Sequence, residues 1–369
     1  MTRHRKLTGT AMTVALACAV LPGPAMAGPA MAGSAPVTAG SSSAAATSGF
    51  AYLRANVPDW DSPDPYTPNP EFSRNTTGGI NTVSRLSLGR YVVHLPNLGG
   101  GGGTAHVTAI APIASPDVAC QVGSWGPDGT DLHLGVRCSG PTGAPADVEF
   151  TASFTSRPAA KRIAYLWADK PRQKSYKPSR DHQWNSTGGT NTAERRGTGS
   201  YRVRLPGLGT TRGHVQVTAF GATPARCKVG AWSPSGRTQV VDVRCFGVTG
   251  RPLDSAYTLT YVDGHGLLGS DPAAYARDTE PHFVDHLPHP RYRYNSSGGE
   301  NSIYRQTVGQ YFVRMPGMPL FHGSAHVTAY GHGSQRCTID FWNGAGVAVQ
   351  CRTSAGAASN AAFDVAFFR

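Results

Sequence analysis

The stretch N-S-T-G-G-T-N-T at residues 185–192 is the middle copy of a motif that occurs three times in the chain. The first copy, N-T-T-G-G-I-N-T, begins at Asn75, and the third, N-S-S-G-G-E-N-S, begins at Asn295. The step is 110 residues from 75 to 185 and again from 185 to 295. A unit of this length can bury its own core, so the sequence predicts one fold that is repeated three times.

Each copy of the motif lies among short runs in which apolar and polar residues alternate. A period of two is typical of strands that are buried on one face, and helical periodicity is nearly absent. In Y-R-V-R-L, for example, Tyr201, Val203 and Leu205 are predicted to face the core. The pattern predicts an all-β protein of three tandem antiparallel domains, each a β-sandwich or jelly-roll-like fold with one hairpin disulfide.

The beginning of the chain has the features of an export signal. A basic start precedes a short apolar run and the cleavage site Ala25-Met26-Ala27, and the run is too short to span a bilayer. The predicted order is therefore a signal peptide, a flexible leader rich in Ala, Ser and Gly, and three repeats, at residues 1–27, 28–48, 49–158, 159–268 and 269–369. We accordingly expect a secreted, extracellular protein without a membrane span.

The net charge of the chain is strongly positive. It is +12 at neutral pH, and three of the positive charges lie in the predicted signal peptide, which leaves +9 on the mature protein. Such a charge favours acidic partners, for example anionic cell-envelope polymers, and it also keeps a secreted chain soluble without any partner. We expect no specific binding to nucleic acid.

Six cysteines, two in each repeat, follow the predicted signal peptide. A turn glycine lies midway between the two cysteines of each repeat, and a hairpin about that glycine brings the two thiols close enough to bridge. The predicted disulfides are Cys120–Cys138, Cys227–Cys245 and Cys337–Cys351. An oxidising extracellular space permits their formation.

A tryptophan lies five positions after the first cysteine of each pair, at Trp125, Trp232 and Trp342. Because neighbours in a strand alternate faces, the residues that share the cysteine face, such as Phe341, are predicted to be core, and the tryptophans are predicted to face solvent. An exposed indole is a flat platform for a sugar ring. Two alternatives leave it covered: a neighbouring strand or loop, or a β-bulge that turns it inward.

The asparagine that opens each repeated motif has two interpretations. Paired glycines and short polar side chains are what tight turns need, so Asn75, Asn185 and Asn295 fit a structural turn. The alternative is that these three side chains contact a ligand.

Five histidines are candidates for chemistry. His282, His286 and His289 form a candidate set of ligands for zinc or another transition metal, although nearby prolines argue against the helix that would align them. His106 and His326 share one repeat position on the outward side of a strand, so we expect them at the surface.

No motif for catalysis stands out. The chain lacks a nucleophile elbow, a zinc-protease motif and a phosphate-binding loop. We therefore predict no catalytic residue and no cofactor, and we lean against an enzyme. A hydrolase whose paired carboxylates come from distant positions stays an alternative.

Four short motifs carry a resemblance: N-[ST]-[ST]-G-G-x-N, G-x-Y-x-V-x-[LM]-P-[NG]-[LM], V-T-A and C-x-x-x-x-W. They resemble repeats in uncharacterised secreted proteins of actinomycete bacteria, over nearly everything after residue 49. The resemblance implies export and a repeated β-domain, and it implies no activity.

The leading functional hypothesis is a secreted, multivalent binding protein for carbohydrate or a cell-envelope polymer. The loop before each motif is acidic in the first repeat, basic in the second and rich in histidine in the third, which is typical either of recognition loops or of drift on an exposed loop. The alternatives are a protein-binding adhesin or enzyme inhibitor, and a secreted hydrolase that acts on polysaccharide.

Overall fold

The computed structural model describes residues 48–270 and 272–369, so the predicted signal peptide and nearly all of the predicted leader lie outside the described residues. In the described part of the chain the regular structure is β-strand, with three short 3-10 turns at Pro70–Phe72, Arg180–His182 and Pro290–Tyr292 and no α-helix. The all-β prediction is confirmed. Over the same residues, no helix is long and apolar enough to cross a membrane.

The three repeats contain strands in the same order. The strands of repeat one are β1 (Gly49–Ala55), β2 (Ser73–Asn75), β3 (Thr82–Ser87), β4 (Arg90–Leu95), β5 (Thr104–Ile110), β6 (Ala119–Asp128), β7 (Asp131–Ser139) and β8 (Glu149–Ser156). The strands of repeat two are β9 (Ile163–Ala168), β10 (Ser175–Tyr176), β11 (Gln183–Asn185), β12 (Thr192–Gly197), β13 (Ser200–Leu205), β14 (His214–Phe220), β15 (Ala225–Ser235), β16 (Thr238–Gly247) and β17 (Ala256–Val262). The strands of repeat three are β18 (Ala273–Asp278), β19 (Asp285–His286), β20 (Arg293–Asn295), β21 (Ser302–Thr307), β22 (Gln310–Arg314), β23 (Ser324–Ala329), β24 (Arg336–Asn343), β25 (Gly346–Arg352) and β26 (Phe363–Phe368).

Each repeat forms two antiparallel layers. In repeat one the inner layer has the order β2-β1-β8-β5 and the outer layer the order β3-β4-β7-β6, and the equivalent strands of the other repeats follow the same orders. Every residue of β5 is buried, whereas β7 alternates between buried and half-buried residues. The inner layers are therefore covered on both faces, and the outer layers keep one face towards solvent.

Strand pairs between repeats close the three repeats into a ring. The end of β14 pairs in parallel with β6, and the end of β5 pairs in parallel with β24. A parallel bridge between Val229 and Tyr330 completes the third junction. Because the sheets run across the repeat boundaries, the structure does not confirm three separate tandem domains.

The predicted disulfides and the predicted inward face of β13 are confirmed. The three disulfides join the predicted cysteine pairs, Cys120–Cys138, Cys227–Cys245 and Cys337–Cys351. The three residues predicted to face the core in β13, Tyr201, Val203 and Leu205, are buried. Three disulfides indicate that the chain matures in an oxidising compartment.

A polar layer lies where the inner layers of the three repeats meet. His106 and His326 are buried there, so the prediction of surface histidines is wrong, because the other repeats cover the outward side of their strands. His106 Nε2 lies 2.8 Å from Thr260 Oγ1 in repeat two, and Thr108 Oγ1 lies 3.0 Å from His326 Nδ1 in repeat three. Gln216 takes the equivalent position in repeat two and donates a hydrogen bond of 3.2 Å to a carbonyl of repeat three. Burial lowers the pKa of His106 to about 3, which keeps the imidazole neutral.

Candidate functional site

A β-bulge decides where the tryptophans point. In repeat one Val122 is paired with Val136 and Trp125 with Leu134, so Gly123 is an extra residue in the strand. The extra residue reverses the alternation of faces after it, and Trp125 turns to the core side. The same shift occurs in β15 between Val229 and Ala231 and in β24 between Ile339 and Phe341.

The prediction that the tryptophans face solvent is therefore wrong, and the alternative of a β-bulge that turns them inward is confirmed. Trp232 and Trp342 are only 7% and 5% exposed, and Trp125 is half-buried. Each indole packs where its repeat meets the next one in the ring. The ring and cation contacts join Trp125 to Trp167, His182 and Phe220, Trp232 to Arg277 and Tyr292, and Trp342 to Arg54 and Phe72. The tryptophans hold the junctions together and offer no open platform.

The asparagines of the repeated motif are fully engaged within the fold. Asn75 Oδ1 accepts hydrogen bonds from the backbone nitrogen and the hydroxyl of Thr77, at 2.9 and 2.7 Å. Its Nδ2 donates to Asn81 Oδ1 and to the Pro96 carbonyl, at 3.1 and 3.0 Å. The same bonds recur around Asn185 and Asn295. With all of these polar atoms bonded internally, the geometry favours the structural turn over contact with a ligand.

The histidines of the repeat-three loop are not brought together. His282 Nδ1 contacts the Asn360 amide, His286 Nε2 lies 3.2 Å from Asp278, and His289 accepts a hydrogen bond from the Arg291 backbone nitrogen. Across residues 48–270 and 272–369, no group of three or more His, Cys, Asp or Glu side chains could hold a metal ion. The arrangement gives no support to the predicted metal set.

The outer face of repeat three carries an aromatic row that crosses four strands. Tyr304 in β21 is paired with Phe312 in β22, Phe312 with Ala348 in β25, and Ala348 with Phe341 in β24. Residues that are paired across a sheet share one face, so these side chains form a row perpendicular to the strands. The bulge that buries Trp342 turns Phe341 outward, so the prediction that Phe341 lies in the core is wrong.

Two phenylalanine rings on this surface lie over glycines, where the absence of a side chain makes room for them. Phe341 is 40% exposed, and its centroid lies 6.3 Å from that of Phe312. A Cβ atom added at Gly346 would meet the Phe312 ring at 2.8 Å, and one at Gly344 would meet the ring of Phe321. Phe321 is 68% exposed. We call Tyr304, Phe312, Phe321 and Phe341 the aromatic face.

Polar rows flank the aromatic row on both sides. The pairings place one row beside it made of Ser302, Arg314, Gly346 and Asn343, and another made of Gln310, Gln350 and Thr338. The guanidinium carbon of Arg314 lies 5.8 Å from the centroid of Tyr304, at one end of the aromatic row. The face thus combines an aromatic strip with hydrogen-bond donors and acceptors along both edges.

The equivalent rows of the other two repeats have different chemistry. Repeat one has Ser84, Val92, Gly135 and Ser124 there, and repeat two has Glu194, Arg202, Asp242 and Ala231. In repeat two the Arg202 and Asp242 side chains form an ion pair at 2.8 Å. The fold does not require aromatic residues at this row, because two of its three copies lack them.

A chain of polar contacts lies on the outer face of repeat one. Ser84 Oγ lies 2.9 Å from His94 Nε2, and His94 Nδ1 lies 3.0 Å from His133 Nε2. Asp128 approaches His133 to 3.4 Å, but its side chain is 70% exposed, so water screens its charge. Burial and the neighbouring His133 lower the pKa of His94. We assign no catalysis to this series of polar contacts, because it lies on an open sheet surface rather than in a cleft.

The aromatic face is the strongest candidate for a functional site. Phe321 and Phe341 are exposed, and Tyr304 and Phe312 are half-buried. The row differs from its copies, and its rings have no structural partner comparable to those of the buried tryptophans. Comparison with models of protein families, with curated proteins and with solved structures finds no match for the chain.

Proposed function

We propose that the protein is a secreted, non-catalytic binding protein whose aromatic face takes a polysaccharide chain. The observation that carries the proposal is the in-register row of Tyr304, Phe312 and Phe341 across the exposed side of a sheet. Three strand steps separate Tyr304 from Phe341, which is ~14 Å at the usual strand spacing. A row of that length suits a short run of sugar units better than a single ring.

The surroundings of the row favour carbohydrate over a purely apolar ligand. A sugar ring has apolar C–H faces and a rim of hydroxyl groups, so it stacks on an aromatic ring while its hydroxyls seek donors and acceptors beside it. The flanking rows provide Arg314 and Asn343 on one side and Gln310 on the other. Arg314 and the net charge of +9 that remains without the predicted signal peptide favour a polymer with acidic groups.

A second candidate function is binding of a protein partner by the loop at residues 279–289. Phe283, Val284 and Leu287 in this loop are each more than half exposed, which is unusual for apolar side chains that lie so close together. The loop also contains the short edge strand β19, where another chain can add a strand. An adhesin or an enzyme inhibitor would use such a loop.

Affinity electrophoresis in gels that contain soluble polysaccharides tests the main proposal. Phe312→Ala and Phe341→Ala should each weaken retardation by roughly two- to tenfold, the range for loss of one aromatic stacking contact. Val92→Ala, at the row position of Phe312 in repeat one, is the matched control and should leave retardation unchanged.

Two results would contradict the proposal. One is equal retardation of the wild type and both phenylalanine variants on every polysaccharide that retards the wild type, with the folds verified by circular dichroism. The other is release of new reducing ends from the polysaccharide, which would make the protein a hydrolase. Loss of partner binding on Phe283→Ser, with polysaccharide binding intact, would favour the protein-binding candidate.

A further inference from the structure

Equivalent residues of all three repeats line a small cavity where the inner strands meet the disulfide hairpins, so it lies on the approximate threefold axis of the ring of repeats, and we call it the axial pocket. Its volume is about 70 Å³, and equivalent residues from each repeat line it, among them Thr108, Thr218 and Thr328. At roughly 15 Å³ for each water molecule, the cavity has room for about five waters. That is space for a small polyatomic ion and not for a sugar ring or a nucleotide.

The lining of this axial pocket is strongly basic. Arg226, Lys228 and Arg336 line it, and the acidic group among their ionic partners is Asp117. Arg336 Nε donates to Asp117 at 2.6 Å, whereas Arg226 Nη2 reaches the same carboxylate only at 3.5 Å. Lys228 Nζ donates to the carbonyls of Gly333 and Gln335 at 2.9 and 3.1 Å, which bring no negative charge. Two of the three cations thus share one carboxylate, and Lys228 contacts none.

Arg226 is the group that the fold leaves incomplete. Its side chain is 12% exposed, and its Nε and Nη1 atoms are buried without a hydrogen-bond partner. A buried guanidinium without its partners is strongly disfavoured, because its five N–H donors lose water and gain nothing in return. Burial lowers the pKa of Arg226 and that of Lys228, the latter to about 8, as expected for cations with too little negative charge nearby.

We propose that the axial pocket binds one small oxyanion of the phosphate or sulfate type. The anion supplies acceptors for the free Arg226 donors and offsets the excess positive charge of Arg226, Lys228 and Arg336. The lining includes the half-buried residues Ser334 and Gln335. The anion is either a free ion or a phosphate or sulfate group carried on a polymer.

Thermal unfolding at constant ionic strength tests this site. With inorganic sulfate or phosphate in place of chloride, the Tm of the oxidised protein should rise in proportion to the logarithm of anion concentration above saturation. Arg226→Ala, which copies Ala119 at the same position of repeat one, should weaken the apparent anion affinity roughly tenfold or more. Arg237→Ala, an exposed arginine at the hairpin tip, is the matched control and should keep the full response.

Lys228→Gln provides a second variant in case Arg226→Ala folds poorly. Gln121 holds this position in repeat one and bonds two loop carbonyls in the same way, so the substitution removes a charge and keeps the contacts. It should also weaken the anion response. An equal response to chloride and sulfate in the wild type, or a full response in both Lys228→Gln and a folded Arg226→Ala, would overturn the proposal.

A displacement titration distinguishes the source of the anion. If a sulfated or phosphorylated oligosaccharide displaces inorganic sulfate, measured by isothermal titration calorimetry, the pocket takes a group on a polymer. If it does not, the pocket takes the free ion. Both results support an anion site, and both are independent of Phe312 and Phe341 on the aromatic face.

Discussion

The ion pair between Arg277 and Asp364 offers a quantitative test of how the junctions hold the ring. Arg277 is 1% exposed and donates to Asp364 through Nε and Nη2 at 2.9 and 3.1 Å. Its guanidinium carbon lies 4.5 Å from the centroid of Trp232. It lies 4.6 and 4.2 Å from the centroids of Tyr292 and Tyr330. The arginine therefore touches rings from repeats two and three and ties one repeat to the next.

Repeat two shows that this junction position does not need a charge, whereas repeat one keeps an arginine there, Arg54, paired with Glu149. Trp167 takes the position of Arg277 in repeat two, where its strand partner is Thr258. Thr151 takes the position of Asp364 in repeat one. Burial raises the pKa of Asp364 although Arg277 opposes the shift, which is the sign expected when desolvation outweighs the attraction within the pair.

Two single variants and their combination measure the pair. Arg277→Met leaves the Asp364 carboxylate buried with no charged partner, because burial keeps the nearby His214, 3.8 Å away, neutral. Asp364→Thr leaves the guanidinium buried and without its carboxylate, so each variant should lower the free energy of unfolding by about 3–5 kcal/mol. The double variant removes both charges and keeps similar volumes. It should lie within about 2 kcal/mol of the wild type, which makes the two effects strongly non-additive.

Guanidinium-induced unfolding of the oxidised protein gives these values, followed by circular dichroism and by tryptophan fluorescence. Coincident transitions from the two probes are required before a single free energy is calculated. Additive losses, or single variants that each cost less than about 1 kcal/mol, would refute the view that the pair matters through burial of an uncompensated charge.

Three further outcomes are expected. Burial lowers the pKa of Lys228 from 10.5 to about 8, so between these pH values the unfolded chain holds more protons and stability rises with pH. Lys228→Gln should flatten this rise in pH-dependent thermal unfolding. An unaltered profile would contradict the prediction. Burial lowers the pKa of His106 from 6.5 to about 3, so stability falls as the pH drops below 6.5. His106→Gln, which copies Gln216, should lose less Tm than the wild type between pH 6.5 and about pH 4. An equal loss would argue against a neutral buried imidazole. Iodide quenching should change little when Trp232 or Trp342 is replaced by Phe, since both indoles are buried, and loss of the quenched fraction would show an exposed ring.

What the sequence predicts well depends on how local the governing contacts are. The pairing of Cys120 with Cys138 follows from one hairpin, and the inward face of β13 follows from a strict alternation of Tyr201, Val203 and Leu205. Both involve residues that are neighbours in the strand or across one turn. Such patterns carry their own geometry and need no knowledge of the rest of the chain.

One extra residue in β24 prevented the aromatic face from being predicted from the sequence. A bulge shifts the pattern by a single position and leaves little trace in the sequence, and in repeat three the extra residue is not even a glycine. That shift exchanges the sides of Phe341 and Trp342. Tyr304 and Phe312 gave the available signal, because each alternates with the buried residues Ile303 and Val313.

The burial of His106 could not be predicted for a different reason: it depends on the closure of the three repeats into a ring. The outward side of an inner strand is polar in sequence and reads as solvent-facing. Its partners, such as Thr260, come from another repeat. No periodicity within one repeat records a contact of that kind.

The junction between β5 and β24 has a consequence for how the protein matures. It joins the first repeat to the last, so the first repeat to be synthesised cannot complete its contacts until the final residues of the chain have been made and, for an exported protein, delivered. Contacts of such long sequence separation form slowly and leave strand edges open in the interim. We expect a fragment of two repeats to aggregate, and a chain that is cut between repeats and rejoined at its original ends to fold, because Tyr52 near the beginning packs on Phe368 near the end.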